Sequence, residues 1–391
     1  MVRMGSIMTK ETKIIHSGLE PKNIHGSLTT PIYKNSTLAF NNYKDFLDAK
    51  KNKYTVPYYG RFGTYTTKTL EKIICQLYSS EKSIITSSGL SAITSTIFSL
   101  VKKNENILIV ENCYEPVANY INLELKKCGV NPIFYKPTNE SNLEKKVNSK
   151  CRLIYLESPS SLNYEIQDIE KIVKIAKKKK IITIMDNTWS TFLGINPLNL
   201  GIDIVIESAT KYISGHSDCF CGIIACSEKI YKKIKPTIIR IGDFVSSENC
   251  YLTIRGLKTL SLRMEKHNKN AYKVYKYLQS LKEISYIFYP PGDKGRNFRL
   301  WKKYHKIGNS LITFSLNKNN KSKIESFVDN LKLFKIGFSY GGFESLILPL
   351  ENSFFYKKDN KAFWFRIHLG LENHDDLIED MKYALKKYNK S

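Results

Sequence analysis

Lys211 is the residue around which chemistry can be built. It lies in DIVIESATKYISGHS (203–217), where a run of β-branched residues ends in Ser208 and Thr210, two hydroxyl residues just before the lysine. A lysine at the mouth of an apolar strand end sheds its proton more readily than one in water, and a Schiff-base nucleophile requires the neutral amine. The hydroxyls beside it can hold a phosphate. Taken alone, Lys211 is a weak signal, since a surface lysine in a strand-to-helix loop is common. Upstream by 211 − 186 = 25 residues, the run IITIMD ends in Asp186. A carboxylate at a neighbouring strand end can pair with a protonated pyridine nitrogen and make that ring a stronger electron sink. By itself Asp186 could equally cap a helix over TWSTF. A third element, TSSGLSAITSTIF, sets Gly89 at a strand-to-helix turn among hydroxyl residues. Exposed backbone N–H groups and the positive end of a helix dipole make such a turn a phosphate cradle. Many helices begin in Ser-Gly, so the motif is weak in isolation.

These residues need a scaffold that brings strand ends together. Short β-branched runs (IITS near 85, NILIVE from 106, NPIFY from 131, RLIYLES from 152, IITIMD from 181, IDIVIES from 202, GIIAC from 222) alternate with helical patterns. That alternation predicts an α/β fold with a mostly parallel sheet and helices on both faces. Ligands of such sheets gather beyond the carboxyl ends of the strands. The polar residues closing the runs are therefore site candidates: Ser87 to Gly89, Tyr114, Glu157 to Pro159, Asp186 to Thr188, and Ser208 to Lys211. After residue 257 long amphipathic helices precede the strand-like pieces LITFSL, LFKIGFS and FRIHLGL and a closing helix from Asp375. The expected division is an N-terminal arm over 1–62, a cofactor-binding domain over 63–257, and a smaller α+β domain over 258–391.

The 391 residues suffice for two packed domains of roughly 100–200 residues each. No run approaches the roughly 20 apolar residues needed to cross a bilayer, and the opening MVRMGSIMTKETK has no secretory apolar block. A cytoplasmic location and no membrane partner are expected. The eight cysteines lack metal or disulfide spacing and read as buried free thiols, and the seven histidines form no metal motif, so no metal is implied. The formal charge of +25, from 61 Lys and Arg against 36 Asp and Glu, raises the question of nucleic acid. The lysines are scattered through every segment with many Asn, Ile and Tyr residues, which reads as compositional drift; the run 177–180 closes a helix, where cations suit the dipole. No nucleic-acid partner is expected. A basic, non-catalytic nucleic-acid-binding protein is the alternative of another class, and it would bind with a steep salt dependence.

The order YYGRFGT, SSGLSA, NCYEP, ESPSS, DNTW, SATKYISGHSD, TIRGLKTL, SYGGFESL and RIHLGLE spans nearly the whole chain. It resembles the Cys/Met-metabolism family of fold-type I pyridoxal phosphate enzymes. The resemblance implies pyridoxal 5'-phosphate as cofactor, with Lys211 carrying it covalently and Asp186 on its pyridine nitrogen. Gly89, Leu90, Ser208 and Thr210 would hold the phosphate, and Tyr114 would stack on the ring and share in proton transfer. Tyr59 and Arg61 would cross to the phosphate of a neighbouring subunit, with Tyr59 also near substrate. Arg366, helped by Ser339, would grip the α-carboxylate of an amino-acid substrate. The family's usual assembly implies a homotetramer built as a dimer of dimers.

Within the family, SYGGFESL resembles the β-lyase form, which has an aromatic residue after the serine where γ-synthases and γ-lyases have an aliphatic one. Tyr340 stands here in place of the usual tryptophan, and it keeps an aromatic wall of different size with an added hydroxyl. YEP at Tyr114 to Pro116 lacks the cysteine that follows the corresponding tyrosine in methionine γ-lyase. The resemblance thus implies a carbon–sulfur lyase that splits L-cystathionine into homocysteine, pyruvate and ammonia in methionine biosynthesis. A γ-synthase or γ-lyase is the alternative, and alanine racemisation is a side activity the same chemistry allows.

Overall fold

All seven runs read from the sequence between 82 and 226 are strands in the computed structural model, which describes residues 8–317, 320–350 and 363–390. They are β1 (Lys82–Thr86), β2 (Asn106–Val110), β3 (Asn131–Tyr135), β4 (Cys151–Glu157), β5 (Ile182–Asp186), β6 (Ile204–Ser208) and β7 (Gly222–Cys226). One sheet holds them in the order β1-β7-β6-β5-β4-β2-β3. β2 to β6 pair in parallel, while β7 runs antiparallel to both β1 and β6. Parallel strands are covered on both faces by their crossover helices, so their residues are apolar throughout instead of alternating. β2 is buried along its whole length, and so is the antiparallel β7, which lies between β1 and β6.

The crossover helices are closed by their own polar residues. Ser88 caps the helix Gly89–Leu100 by accepting the Ser91 N–H. Asp168 caps the helix Ile169–Lys179, which buries Ile169, Ile172, Val173 and Ala176 on one face. The lysine run ends that helix, with Lys180 as a left-handed C-cap, at the end where cations oppose the dipole.

A second sheet has the order β10-β11-β12-β9-β8, from β8 (Ile284–Phe288), β9 (Leu311–Leu316), β10 (Lys335–Ile336), β11 (Leu346–Leu350) and β12 (Trp364–His368). Phe314, Phe327, Phe365, Leu377 and Met381 form the heart of its core, against the helices Leu260–Gln279 and His374–Tyr388. LITFSL and FRIHLGL supply β9 and β12, but LFKIGFS yields only the two residues of β10. Ser339, at φ +79°, turns the chain out of the extended region soon after it. β11 was not expected, because Pro349 interrupts its apolar run. It is tolerated since β10 pairs with β11 only at Leu346 and Ile347, so the proline faces no ladder on that side.

Before the first strand the chain forms the helices Lys10–His16, Tyr43–Lys51 and Tyr65–Tyr78, with exposed extended stretches between the first two. All eight cysteines are free, six of them buried. Cys75 is half-buried and Cys128 is exposed, contrary to the expectation of interior thiols. Cys128 closes a one-turn segment that begins with Lys126 and Lys127, a solvent-facing stretch. Among the described residues no helix is long and apolar enough to cross a membrane.

Candidate active site

The carboxyl ends of β4, β5 and β6 stand side by side, with Glu157 opposite Asp186 and Asp186 opposite Ile206. Just past β6 the backbone is pinned on both sides of the lysine: Lys211 N–H donates to Ser208 O at 3.1 Å, and Gly215 N–H to Lys211 O at 2.9 Å. The Lys211 Nζ donates to Ser339 Oγ at 2.9 Å and stands 5.3 Å from the centre of the Tyr340 ring. Burial pulls the amine down to about 8, with help from the Arg366 charge and against that of Asp186. The strand-end lysine therefore has the depressed basicity expected of it.

Arg366 comes from β12. Its Nη2 donates to Ser339 O at 3.1 Å, and its Cζ lies 5.6 Å from the Tyr340 ring centre. Tyr340 is thus shared by both cations, and its ring also lies 5.5 Å from that of Tyr212. The turn carrying Ser339 and Tyr340 packs directly on the lysine's backbone. A Cβ added to Gly341, at φ +84°, would lie 2.7 Å from Tyr212 N and 2.8 Å from Lys211 C.

Asp186 accepts the Thr188 N–H at 2.8 Å, a local turn instead of a helix cap, since the next helix starts only at Thr191. Burial raises its carboxyl above the usual range, against the Thr188 bonds and the Lys211 charge. Tyr114 caps the helix Glu115–Asn119, and its N–H donates to Glu157 Oε2 at 2.7 Å. Burial and the neighbouring Asp186 hold the Glu157 carboxyl well above the carboxylate range. Burial likewise raises the half-exposed Tyr114 phenol, against Arg366.

At the other edge of the crevice, Gly89 and Leu90 are the first two residues of their helix, so their N–H groups have no acceptor within it. A Cβ on Gly89 would sit 2.5 Å from Ser208 Cβ and 2.7 Å from its Oγ, so only glycine lets this turn meet the end of β6. Asp243 steadies the turn by accepting the Ser87 N–H at 3.0 Å and the Ser91 hydroxyl at 2.5 Å. Thr210 is turned to the strand: its hydroxyl donates to Cys221 O at 3.3 Å and accepts the Cys221 N–H at 3.0 Å. Tyr59 and Arg61 are not brought to Lys211 within one chain. They line a separate cavity of about 490 Å³ with Ser36, Phe244 and Glu248, and Arg61 Nη1 donates to Ile239 O at 2.6 Å.

Two contributors were not singled out from the sequence. Asp243 follows a helix in IGDFVSS, a position without local pattern, and His368 sits in an apolar strand where it reads as core. Glu157 was marked as a strand end, and its contact with the Tyr114 N–H adds a function to that position.

The family model for the Cys/Met metabolism PLP-dependent enzyme matches residues 11–386. The chain belongs to that family. Among its relatives, an L-alanine/L-glutamate racemase of Wolbachia pipientis wMel is 34% identical, over 97% of this chain and 98% of the relative. A cystathionine β-lyase of Haemophilus influenzae is 31% identical, over 96% of this chain and 98% of its own length. The structure of a cystathionine γ-lyase from Lactobacillus plantarum, complexed with L-serine, superposes with a TM-score of 0.89 at 28% identity, covering 98% of this chain and 100% of the other.

As a member of this fold-type I, PLP-dependent lyase and synthase family, the chain uses pyridoxal 5'-phosphate, and its residues suit that group. A carboxyl whose charge is penalised by burial benefits from a cationic N–H partner such as a pyridinium nitrogen. The lysine of lowered basicity answers the aldehyde, and the glycine-made helix start answers the phosphate.

Proposed function

We propose that this enzyme cleaves L-cystathionine by β-elimination, releasing homocysteine, pyruvate and ammonia. The observation that carries the reading is Tyr340, an aromatic residue directly after Ser339 whose ring lies between 5 and 6 Å from both Lys211 and Arg366. It forms a flat wall beside the place where the substrate's amino and carboxylate ends would be held, and it suits the long thioether arm of cystathionine.

Pyridoxal phosphate, when bound, supplies the electron sink that makes the substrate's α-proton acidic. Lys211 would hold the cofactor, then take that proton once substrate has displaced it; an amine titrating near 8 is neutral often enough at physiological pH to act as a base. Arg366 would bind the α-carboxylate as a bidentate partner, with Ser339 completing its grip. Asp186 would keep the ring nitrogen protonated. Gly89, Leu90, Ser208 and Thr210 would hold the phosphate, the last only after its hydroxyl leaves the Cys221 carbonyl. Tyr114 would cover the ring, its backbone fixed by Glu157. Tyr59 and Arg61 of a second copy would complete the phosphate site, which makes the dimer the smallest working unit of the homotetramer that the family resemblance implies.

A second reading is supported by the Wolbachia relative, the racemase with 34% identity across 97% of the chain. Lys211 and Tyr114 would then serve as two proton-transfer groups, one removing and one returning the α-proton. Incubation with L-cystathionine and identification of products tests the first reading. Pyruvate with homocysteine supports it, and 2-oxobutyrate with cysteine overturns it in favour of a γ-lyase. Conversion of L-alanine to D-alanine, followed by chiral chromatography, at a turnover exceeding that of cystathionine would transfer the assignment to racemisation.

A further inference from the structure

β12 turns Arg366 and His368 to the same face, two residues apart. Arg366 holds Ser339 O, and His368 holds the next part of the same turn. The His368 Nε2 lies 3.1 Å from Gly342 O. The Gly341 N–H is directed at the imidazole, its nitrogen 3.2 Å from Nε2 and 3.4 Å from Nδ1. Nδ1 lies 2.6 Å from Ser310 Oγ, which lies 2.6 Å from Tyr212 OH. In the tautomer that carries its proton on Nε2, that proton goes to the Gly342 carbonyl, and Nδ1 accepts from the Ser310 hydroxyl, which accepts from Tyr212. Tyr212 directly follows Lys211, so one directed relay joins the lysine's own backbone to the turn that carries Ser339. Tyr212, Ser310 and His368 are all buried. The charged or titratable groups facing His368 are Arg366 on its own strand, Lys211 after β6, and His267 of the helix Leu260–Gln279, whose ring centre is 5.3 Å away.

Ser339 at φ +79° is a strained non-glycine residue, and such a conformation persists only where its surroundings enforce it. We propose that His368 is a positioning residue that clamps the Ser339–Gly342 turn onto Lys211, keeping Ser339 Oγ on the amine and water away from it. The proposal rests on Lys211 as the cofactor lysine and on no choice of substrate.

The test is the pH dependence of pyridoxal phosphate capture by the cofactor-free full chain, followed by visible absorbance, with thermal melts in parallel. His368→Ala is expected to raise the midpoint of capture by about one pH unit, because burial is the largest cause holding the amine down. His368→Gln, whose amide N–H can still reach Gly342 O, should bring the midpoint back toward wild type. Ile367→Val, on the opposite face of β12, should lower the melting temperature and leave the midpoint in place, which separates positioning from stability. If His368→Ala does not fold, Ser310→Ala, which takes the partner from Nδ1, should move the midpoint in the same direction. A folded His368→Ala or Ser310→Ala variant with the wild-type midpoint overturns the proposal. Failure of the wild-type chain to capture the cofactor would overturn the role of Lys211, and the proposal with it.

Discussion

The depressed basicity of Lys211 sets a measurable limit on how the protein acquires its cofactor. Only the neutral amine attacks an aldehyde, and the amine titrates at about 8, so capture of pyridoxal phosphate should rise with pH and level off above that value. Below the midpoint the rate is expected to fall about tenfold per pH unit, as for any single proton held by the nucleophile. Stopped-flow absorbance over pH 6 to 10 would show it; a midpoint near the ordinary lysine value of about 10.4 would contradict the burial that the structure assigns. Lys211, Asp186 and Gly89 were legible as chemistry because each ends a strand or starts a helix, and a strand end is visible as the close of an apolar run. The grip of Ser339 on Lys211 was not, since 339 − 211 = 128 residues separate them and no local pattern encodes a contact over that distance in sequence. Only the resemblance of SYGGFESL pointed to that turn.

The elements that carry the site differ in how openly they declare themselves. The strands of the larger sheet are mostly apolar and bounded by polar residues, so all seven could be located from their composition. β11 was hidden by Pro349, whose acceptability depends on the shortness of the neighbouring β10, a fact of pairing instead of propensity. The turn after β10 was hidden in the same way, because a serine at φ +79° looks like any serine. A paired glycine experiment reads how tightly that turn is seated. Gly341 at φ +84° and Gly242 at φ +81° share a left-handed φ, but a Cβ on Gly341 would meet Tyr212 N at 2.7 Å whereas Gly242 has nothing within 4 Å. Gly242→Ala should cost only the left-handed strain, about 1–2 kcal/mol. Gly341→Ala should cost that plus the displacement of the turn, about 1–3 kcal/mol more, and should also raise KM for the amino-acid substrate. Chemical denaturation gives the two stabilities, and equal values would mean the turn is free to lift.

At the scale of the molecule, buried titratable groups of both kinds govern behaviour in acid. His305 is held neutral by burial, at about 3, with its Nδ1 2.9 Å from Ser190 Oγ. A histidine whose folded value is depressed takes up its proton on unfolding below about 6.5, so it removes stability as the pH falls from there toward 3. Glu157 and Glu207 act in the opposite sense, because burial raises them and acidification relieves the cost of their charge. The histidine's share is therefore read against a variant. Relative to His305→Gln, the wild type should lose up to about 1.4 kcal/mol per pH unit below 6.5, measured by urea unfolding at several pH values. A pH-independent difference between the two would mean that the imidazole takes up its proton as readily in the fold as in the unfolded chain.

The net charge of +25 is the one whole-chain property from which function could not be read, its lysines being scattered along the sequence. The proposed phosphate site calls for a second copy of the chain. Tyr59 and Arg61 face a cavity away from Lys211 in their own chain, with the Arg61 guanidinium on the end of the helix Glu228–Arg240. If they serve the neighbour's phosphate, two separately damaged chains should repair each other. Lys211→Ala and Arg61→Ala would each form impaired homodimers, one lacking the amine at both sites and the other lacking the guanidinium at both. Subunit exchange places one intact site in every mixed dimer, because the Lys211→Ala chain donates its arginine to the lysine of the Arg61→Ala chain. With random pairing half the dimers are mixed, and activity should recover to about a quarter of wild type. Measuring turnover before and after mild dissociation and remixing gives the answer. A mixture no more active than the average of its parents would place Arg61 outside the shared site and leave each chain to hold its phosphate with Gly89, Leu90, Ser208 and Thr210.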